Sequence, residues 1–124
     1  MHDVDVRHLL LIDDEDQVIL TFREYLVRCG CHVDAARDLP TARRCLADSA
    51  YSDVWLDLQL TGNSTTDCLR FLSEARSAAP EATIIAVSGY ASEQVQFAAD
   101  AAGADHFLQK PFDARAVAAA MFTG

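Results

Sequence analysis

Five short apolar runs, RHLLLI, CHVDAA, DVWLD, TIIAVS and DHFLQ, recur along the chain, and segments of helical period separate them. No other feature limits the fold as strongly. Between the first two runs, Val18, Phe22, Tyr25, Leu26 and Cys29 share one face of a helix that Gly30 stops. LPTARRCLAD reads as a second helix with Pro40 in its first turn, and TDCLRFLSEARSAA as a third closed by Pro80. SEQVQFAADAAG is a fourth, with Ser92 as N-cap and Gly103 past its end, and DARAVAAAMF is a short, alanine-rich fifth. Strands alternating with helices predict an α/β fold, a parallel sheet covered on both faces. The continuous apolar character of the first and fourth strands fits burial on both sides.

Composition narrows what such a domain does. At 124 residues the chain has room for one domain, expected to span 1–124 with no output domain of its own, and 51% hydrophobic residues supply a core. A net charge of −9 with ten scattered basic residues excludes the clustered positive footprint of direct nucleic-acid binding, and equally an anionic membrane surface. MHDVDVRH lacks the basic and apolar regions of a signal peptide, and no apolar run reaches the roughly 18 residues of a membrane span. A cytoplasmic protein is expected. Cys29, Cys31, Cys45 and Cys68 show no C-x-x-C spacing and read as reduced, partly buried thiols.

In parallel α/β sheets, ligands bind beyond the carboxyl ends of the strands. Here those ends carry Asp13 and Asp14, then Asp57, then Ser88, then Lys110 followed by Pro111. Taken singly, most have a plainer reading: Asp14 as a helix-entry acid, Ser88 as a turn residue, Lys110 as a solvated charge. Asp57 does not, because an acid after VWL in a central strand is costly unless paired or coordinated. Converging carboxylates repel by about 3 kcal/mol per pair at an effective dielectric near 20, and a small divalent cation such as Mg²⁺ relieves this. That predicts why LLLI runs straight into four acids, Asp13 to Asp16: a metal belongs between them. One carboxylate is then placed to attack a metal-bound phosphodonor, with the ammonium and hydroxyl holding the phosphoryl oxygens.

Through LLLIDDEDQ, DVWLDLQL, IIAVSGY and GADHFLQKPF, in that order, essentially the whole chain resembles the receiver domains of two-component response regulators. The resemblance implies a flavodoxin-like (βα)5 doubly wound sheet in the order 2-1-3-4-5, as in the family's chemotaxis member. It implies that Asp57 is the phosphoacceptor, taking its phosphoryl group from a sensor histidine kinase or a histidine phosphotransfer protein. Asp13, Asp14 and Asp57, with the backbone carbonyl of Gln59, would hold Mg²⁺. Ser88 and Lys110 would assist the transfer, Ser88 and Phe107 would form the switch, and Gln59 and Tyr90 would tune the lifetime of the phosphoryl group. The Lys110–Pro111 bond would be cis, a state X-Pro bonds reach at low cost. Such a domain is a signalling module that catalyses its own phosphorylation and dephosphorylation, not an enzyme acting on other molecules. Three positions depart from the family pattern: Thr61 stands where proline is usual, Thr65 where glycine is, and Phe107 where tyrosine is more usual, so the switch aromatic lacks a hydroxyl to hydrogen-bond.

Three rivals bear comparison. A haloacid-dehalogenase-type phosphatase needs a second Asp as general acid where DLQLT has Gln59. A flavodoxin-type carrier needs a Ser/Thr/Gly phosphate loop after the first strand, where this chain has four acids. A degenerate receiver, acting as a phosphorylation-independent interaction module, typically lacks the phosphoacceptor, the acid pair or the lysine, all present here. If the switch operates, Ser88 moves inward and Phe107 fills the space, remodelling the surface of the fourth helix, fifth strand and fifth helix. The fifth helix carries Arg115 as its single cation. Its alanine-rich outer face is expected either to form a homodimer or effector contact together with the fourth helix, or to pack inward.

Overall fold

The computed structural model describes residues 6–90 and 92–123; the leading MHDVD lies outside them. The strands are β1 (His8–Ile12), β2 (His32–Ala36), β3 (Asp53–Asp57), β4 (Thr83–Ser88) and β5 (His106–Gln109). They alternate with α1 (Asp16–Arg28), α2 (Leu39–Asp48), α3 (Thr65–Ala78), α4 (Glu93–Ala102) and α5 (Ala114–Thr123). All strand pairs are parallel, in the order β2-β1-β3-β4-β5, so the predicted doubly wound sheet is what forms.

Alternation along the strands divides the core. Leu10, Ile12, Val54, Leu56, Ile84 and Ala86 face α2, α3 and α4, where they meet Ala42, Phe71, Leu72 and Ala99. Leu9, Leu11, Trp55, Ile85 and Val87 face α1 and α5, where they meet Ile19, Phe22, Leu26, Val117 and Met121. The buried stripe of α1 is Ile19, Phe22 and Leu26, with Val18 and Tyr25 packed at its margin. Cys29, expected on that face, lies in the C-cap and is exposed, because the chain turns away toward Gly30 at φ 94°. Cys31 and Cys68 are buried, Cys45 half-buried, and all four thiols are free.

Local chemistry sets the helix ends. Asp38 caps α2, Ser92 caps α4, and Ser64 with Asp67 forms a reciprocal capping box at α3. Gly103 ends α4 at φ 119°, and a Cβ there would stand 3.0 Å from the Arg76 side chain. That close approach serves Arg76, whose guanidinium donates to the carbonyls of Gly103, Pro80 and Ala82 and to the carboxylate of Asp105.

The sequence left two possibilities for the apolar face of α5, and the structure turns most of it inward. Val117, Ala120 and Met121 are buried, and Ala118 packs against the same cluster. Phe122 remains about half exposed beneath the Arg7 guanidinium. Arg7 makes a two-pronged ion pair with the fully buried Asp53, at 2.8 and 3.0 Å, tying the start of β1 to the start of β3. Among the described residues no helix is long and apolar enough to cross a membrane.

Candidate functional site

The ladder continues a residue or two beyond the strands, and this places the site. Asp13 donates its N–H to the Ala36 carbonyl, Leu58 to Val87 and Lys110 to Ser88, so three connecting loops leave the sheet in register. Four polar side chains are buried among the described residues, Asp13, Asp53, Asp57 and Ser88, and three of them gather at this carboxyl edge. Burying charge is expensive unless it is compensated, so this edge is where the fold concentrates its unfavourable electrostatics.

Carboxylate oxygens of Asp13, Asp14 and Asp57 lie within 4.8 Å of one another. Lys110 reaches into the group, its Nζ 3.2 Å from Asp13, 3.3 Å from Asp57 and 2.5 Å from Glu15. Burial opposes the Lys110 charge, but the bond to Glu15 and the carboxylates of Asp57 and Asp13 outweigh it and raise its pKa above the ordinary lysine value. Burial pushes the Asp13 carboxyl up, and the neighbouring Asp57 charge adds to this. Asp14 moves the other way. Hydrogen bonding from Thr61 holds its carboxyl below the usual range, and the Thr61 N–H lies 3.0 Å from its Oδ2.

The knot of four acids therefore divides. Asp13 and Asp14 join Asp57, as expected, whereas Glu15 turns to Lys110 and Asp16 pairs with Arg37. The expectation that a metal explains all four acids is corrected: Asp16 pairs with Arg37 outside the group, and Glu15 shares Lys110 with Asp13 and Asp57. Asp14, Glu15, Asp57, Gln59, Thr61 and Lys110 line a cleft of about 430 Å³. Beside it Glu15, Val18, Phe22, Lys110, Pro111 and Phe112 line a more apolar hollow of about 370 Å³. The Lys110–Pro111 bond is cis.

The remaining candidates are placed less directly. The Ser88 hydroxyl is closed on the next turn, donating to the Tyr90 carbonyl at 2.9 Å and accepting from its N–H at 3.0 Å. Phe107 is half-buried against the α2, α3 and α4 side of the core. Gln59 donates its backbone N–H to Asp57 Oδ1 at 2.8 Å, while its side-chain oxygen accepts from Gly89 at 2.6 Å. Tyr90 is 64% exposed. Glu15, Thr61 and Gly89 did not emerge from the sequence as site residues. The signal for Thr61 was present, as the departure from proline: a proline there has no N–H to give Asp14.

Three carboxylates of this spread fit a hard divalent cation. Such a cation takes oxygen ligands throughout, and Asp13, Asp14 and Asp57 would offer it one carboxylate oxygen each.

Residues 9–122 match a family model described as the response regulator receiver domain. Protein PetR of Rhodobacter capsulatus is 31% identical over 86% of this chain and 43% of its own length. The photosynthetic apparatus regulatory protein RegA of the same species is 27% identical over 93% of this chain and 61% of its own. The chain thus spans about half the length of the curated relatives it matches. A response regulator protein from Burkholderia pseudomallei, crystallised with a phosphorylated aspartic acid, a calcium ion and citrate, shares the fold at a TM-score of 0.87. Its identity is 28%, over 94% of this chain and 67% of that one.

Proposed function

This chain belongs to the family of response regulator receiver domains, and from that premise we propose that it takes a phosphoryl group onto Asp57 from a sensor histidine kinase or a histidine phosphotransfer protein. One observation carries the reading: a buried strand-end carboxylate, Asp57, sits beside two further carboxylates and an ammonium 3.3 Å away. The phosphorylated aspartic acid of the Burkholderia relative supports it. The complete set of acids and lysine leaves a phosphorylation-independent module without support. The receiver unit proposed is the whole chain, 1–124, acting in the cytoplasm.

The Asp57 oxygen attacks phosphorus as the donor's leaving group departs with its electron pair, giving an acyl phosphate. Asp13, Asp14, Asp57 and the Gln59 carbonyl would hold Mg²⁺, which would supply positive charge for the phosphoryl oxygens. Lys110 stays protonated and shifts its hydrogen bonds from carboxylate to phosphoryl oxygen. The Gln59 N–H, already directed at Asp57, donates to the same group. Hydrolysis reverses the modification, with Gln59 and Tyr90 framing the approach of water. Ser88 leaves Tyr90 for the phosphoryl group, and Phe107 moves into the space released. That carries the change to the surface of α4, β5 and α5, where Phe97 is 76% exposed and offers an apolar anchor for a homodimer or effector.

Intact mass after incubation with Mg²⁺ and acetyl phosphate tests this. A single alkali-labile phosphoryl adduct is expected, absent without Mg²⁺ and absent in Asp57→Asn. An adduct that persists in Asp57→Asn contradicts the assignment.

A further inference from the structure

Gly89 has an ordinary backbone conformation, so its own φ does not demand glycine. What demands it is a neighbour: a Cβ at position 89 would stand 3.0 Å from the Gln59 side-chain oxygen. That oxygen accepts the Gly89 N–H at 2.6 Å, while the Gln59 backbone N–H donates to Asp57 at 2.8 Å. Gln59 thus spans from the carboxylate to the loop that follows β4. On that loop the two donors nearest the strand end are both engaged internally, Ser88 with Tyr90 and Gly89 with Gln59.

We propose that the Gln59 side chain is a latch: in the unmodified protein it holds the Gly89 amide, and it must release that amide before the loop after β4 can turn a donor toward a phosphoryl group on Asp57. The proposal rests on the reading of Asp57 as phosphoacceptor and adds a sign to the role of Gln59. A phosphoryl group presents three oxygens. On the β1 and β5 side Lys110 meets them, and on the β3 side the Gln59 N–H does. On the β4 side the donors are closed by neutral acceptors. A charged phosphoryl oxygen outcompetes a carboxamide oxygen for the same N–H, so modification opens the latch. Until then, the Gln59–Gly89 bond stabilises the unmodified state and slows its conversion.

Two substitutions break the bond from opposite ends. Gln59→Ala removes the acceptor. Gly89→Ala keeps Gln59 and displaces only the far end of a flexible side chain, so the fold is retained. Both are expected to label with acetyl phosphate about fivefold faster than the parent chain, the equivalent of one ordinary net hydrogen bond. Gln59→Glu is expected to label more slowly, because a carboxylate holds the amide harder and adds charge to the cleft.

The experiment uses the full chain, first without metal or phosphodonor. The Gly89 amide proton, followed by NMR, is expected downfield in the parent and shifted upfield in Gln59→Ala, with exchange faster by about fivefold. An unchanged Gly89 resonance in Gln59→Ala overturns the latch. So does acceleration of labelling in Gln59→Ala alone, since simple loss of bulk would then explain it. A parent chain that takes no label contradicts the phosphoacceptor reading instead, and the amide resonance still decides the latch.

Discussion

Lys110 is the residue on which the site's charge balance turns. Its ammonium lies within 3.3 Å of three carboxylates, and no other cation of the described residues reaches Asp57. Lys110→Ala is expected to slow phosphorylation on the order of 100-fold, the cost of losing one positioned charge in the transition state. Mg²⁺ binding should survive, since the carboxylates remain. The single tryptophan, Trp55, lies buried two residues before Asp57, and its fluorescence can follow binding separately from labelling. Equal labelling rates in the two proteins would remove Lys110 from the chemistry. The acids, the hydroxyl and the lysine were legible in sequence because each ends a strand. Glu15 as the partner of Lys110 was not, since four consecutive acids do not say which faces which way. Thr61 on Asp14 was half legible: the missing proline marked the position, but the hydrogen bond joins loops 47 residues apart and depends on how they pack.

Elements were read well where their ends carry chemistry. Ser92, Gly103 and Pro40 mark helix boundaries through capping, left-handed φ and fixed φ, and the helices begin and end beside them. Faces were read less well. Cys29 fits the apolar period of α1 yet lies past its last turn, and the alanines of α5 do not reveal which way they look until Val117 and Met121 are seen inside. The sequence also gave no warning of the cluster at the opposite edge of the sheet, where Tyr51 donates to Asp34 at 2.7 Å and His8 lies 2.9 Å from the same oxygen. The Tyr51 hydroxyl holds the Asp34 carboxyl below its ordinary pKa, while burial and then Asp34 push Tyr51 above its own. Asp34 therefore contributes stability above its unfolded pKa, roughly 3.9, and that contribution fades as pH falls through the lower folded value. Tyr51 contributes below its unfolded pKa, roughly 10, and that contribution fades as pH rises through the higher folded value. Tyr51→Phe is expected to flatten both limbs of stability against pH and to cost about 1 kcal/mol at neutrality. Urea unfolding across pH checks this, and superimposable profiles would show that the pair contributes nothing.

For the whole molecule, the sheet order followed from the family resemblance and the layering from the alternation of apolar runs, because burial on two faces leaves few other solutions. What the sequence could not supply was the closed state of the loop after β4, which depends on hydrogen bonds rather than on pattern. The same fold that gathers three carboxylates stores their repulsion, so a divalent cation should stabilise the folded chain against the unfolded one. At Mg²⁺ a hundredfold above its dissociation constant, the gain is about 2.7 kcal/mol, or on the order of 10 °C in Tm for a chain this size. Asp14→Asn should lose most of that shift, and an Mg²⁺-independent Tm in the parent chain would mean that the three acids do not act as one site. The decisive measurement concerns where the phosphoryl group goes. Borohydride reduction of the acetyl phosphate adduct converts a phosphorylated aspartate to homoserine, which peptide mass mapping locates. Homoserine at position 57 and at none of positions 13, 14 or 16 is the predicted result; homoserine at any of those acids with Asp57 intact would contradict it.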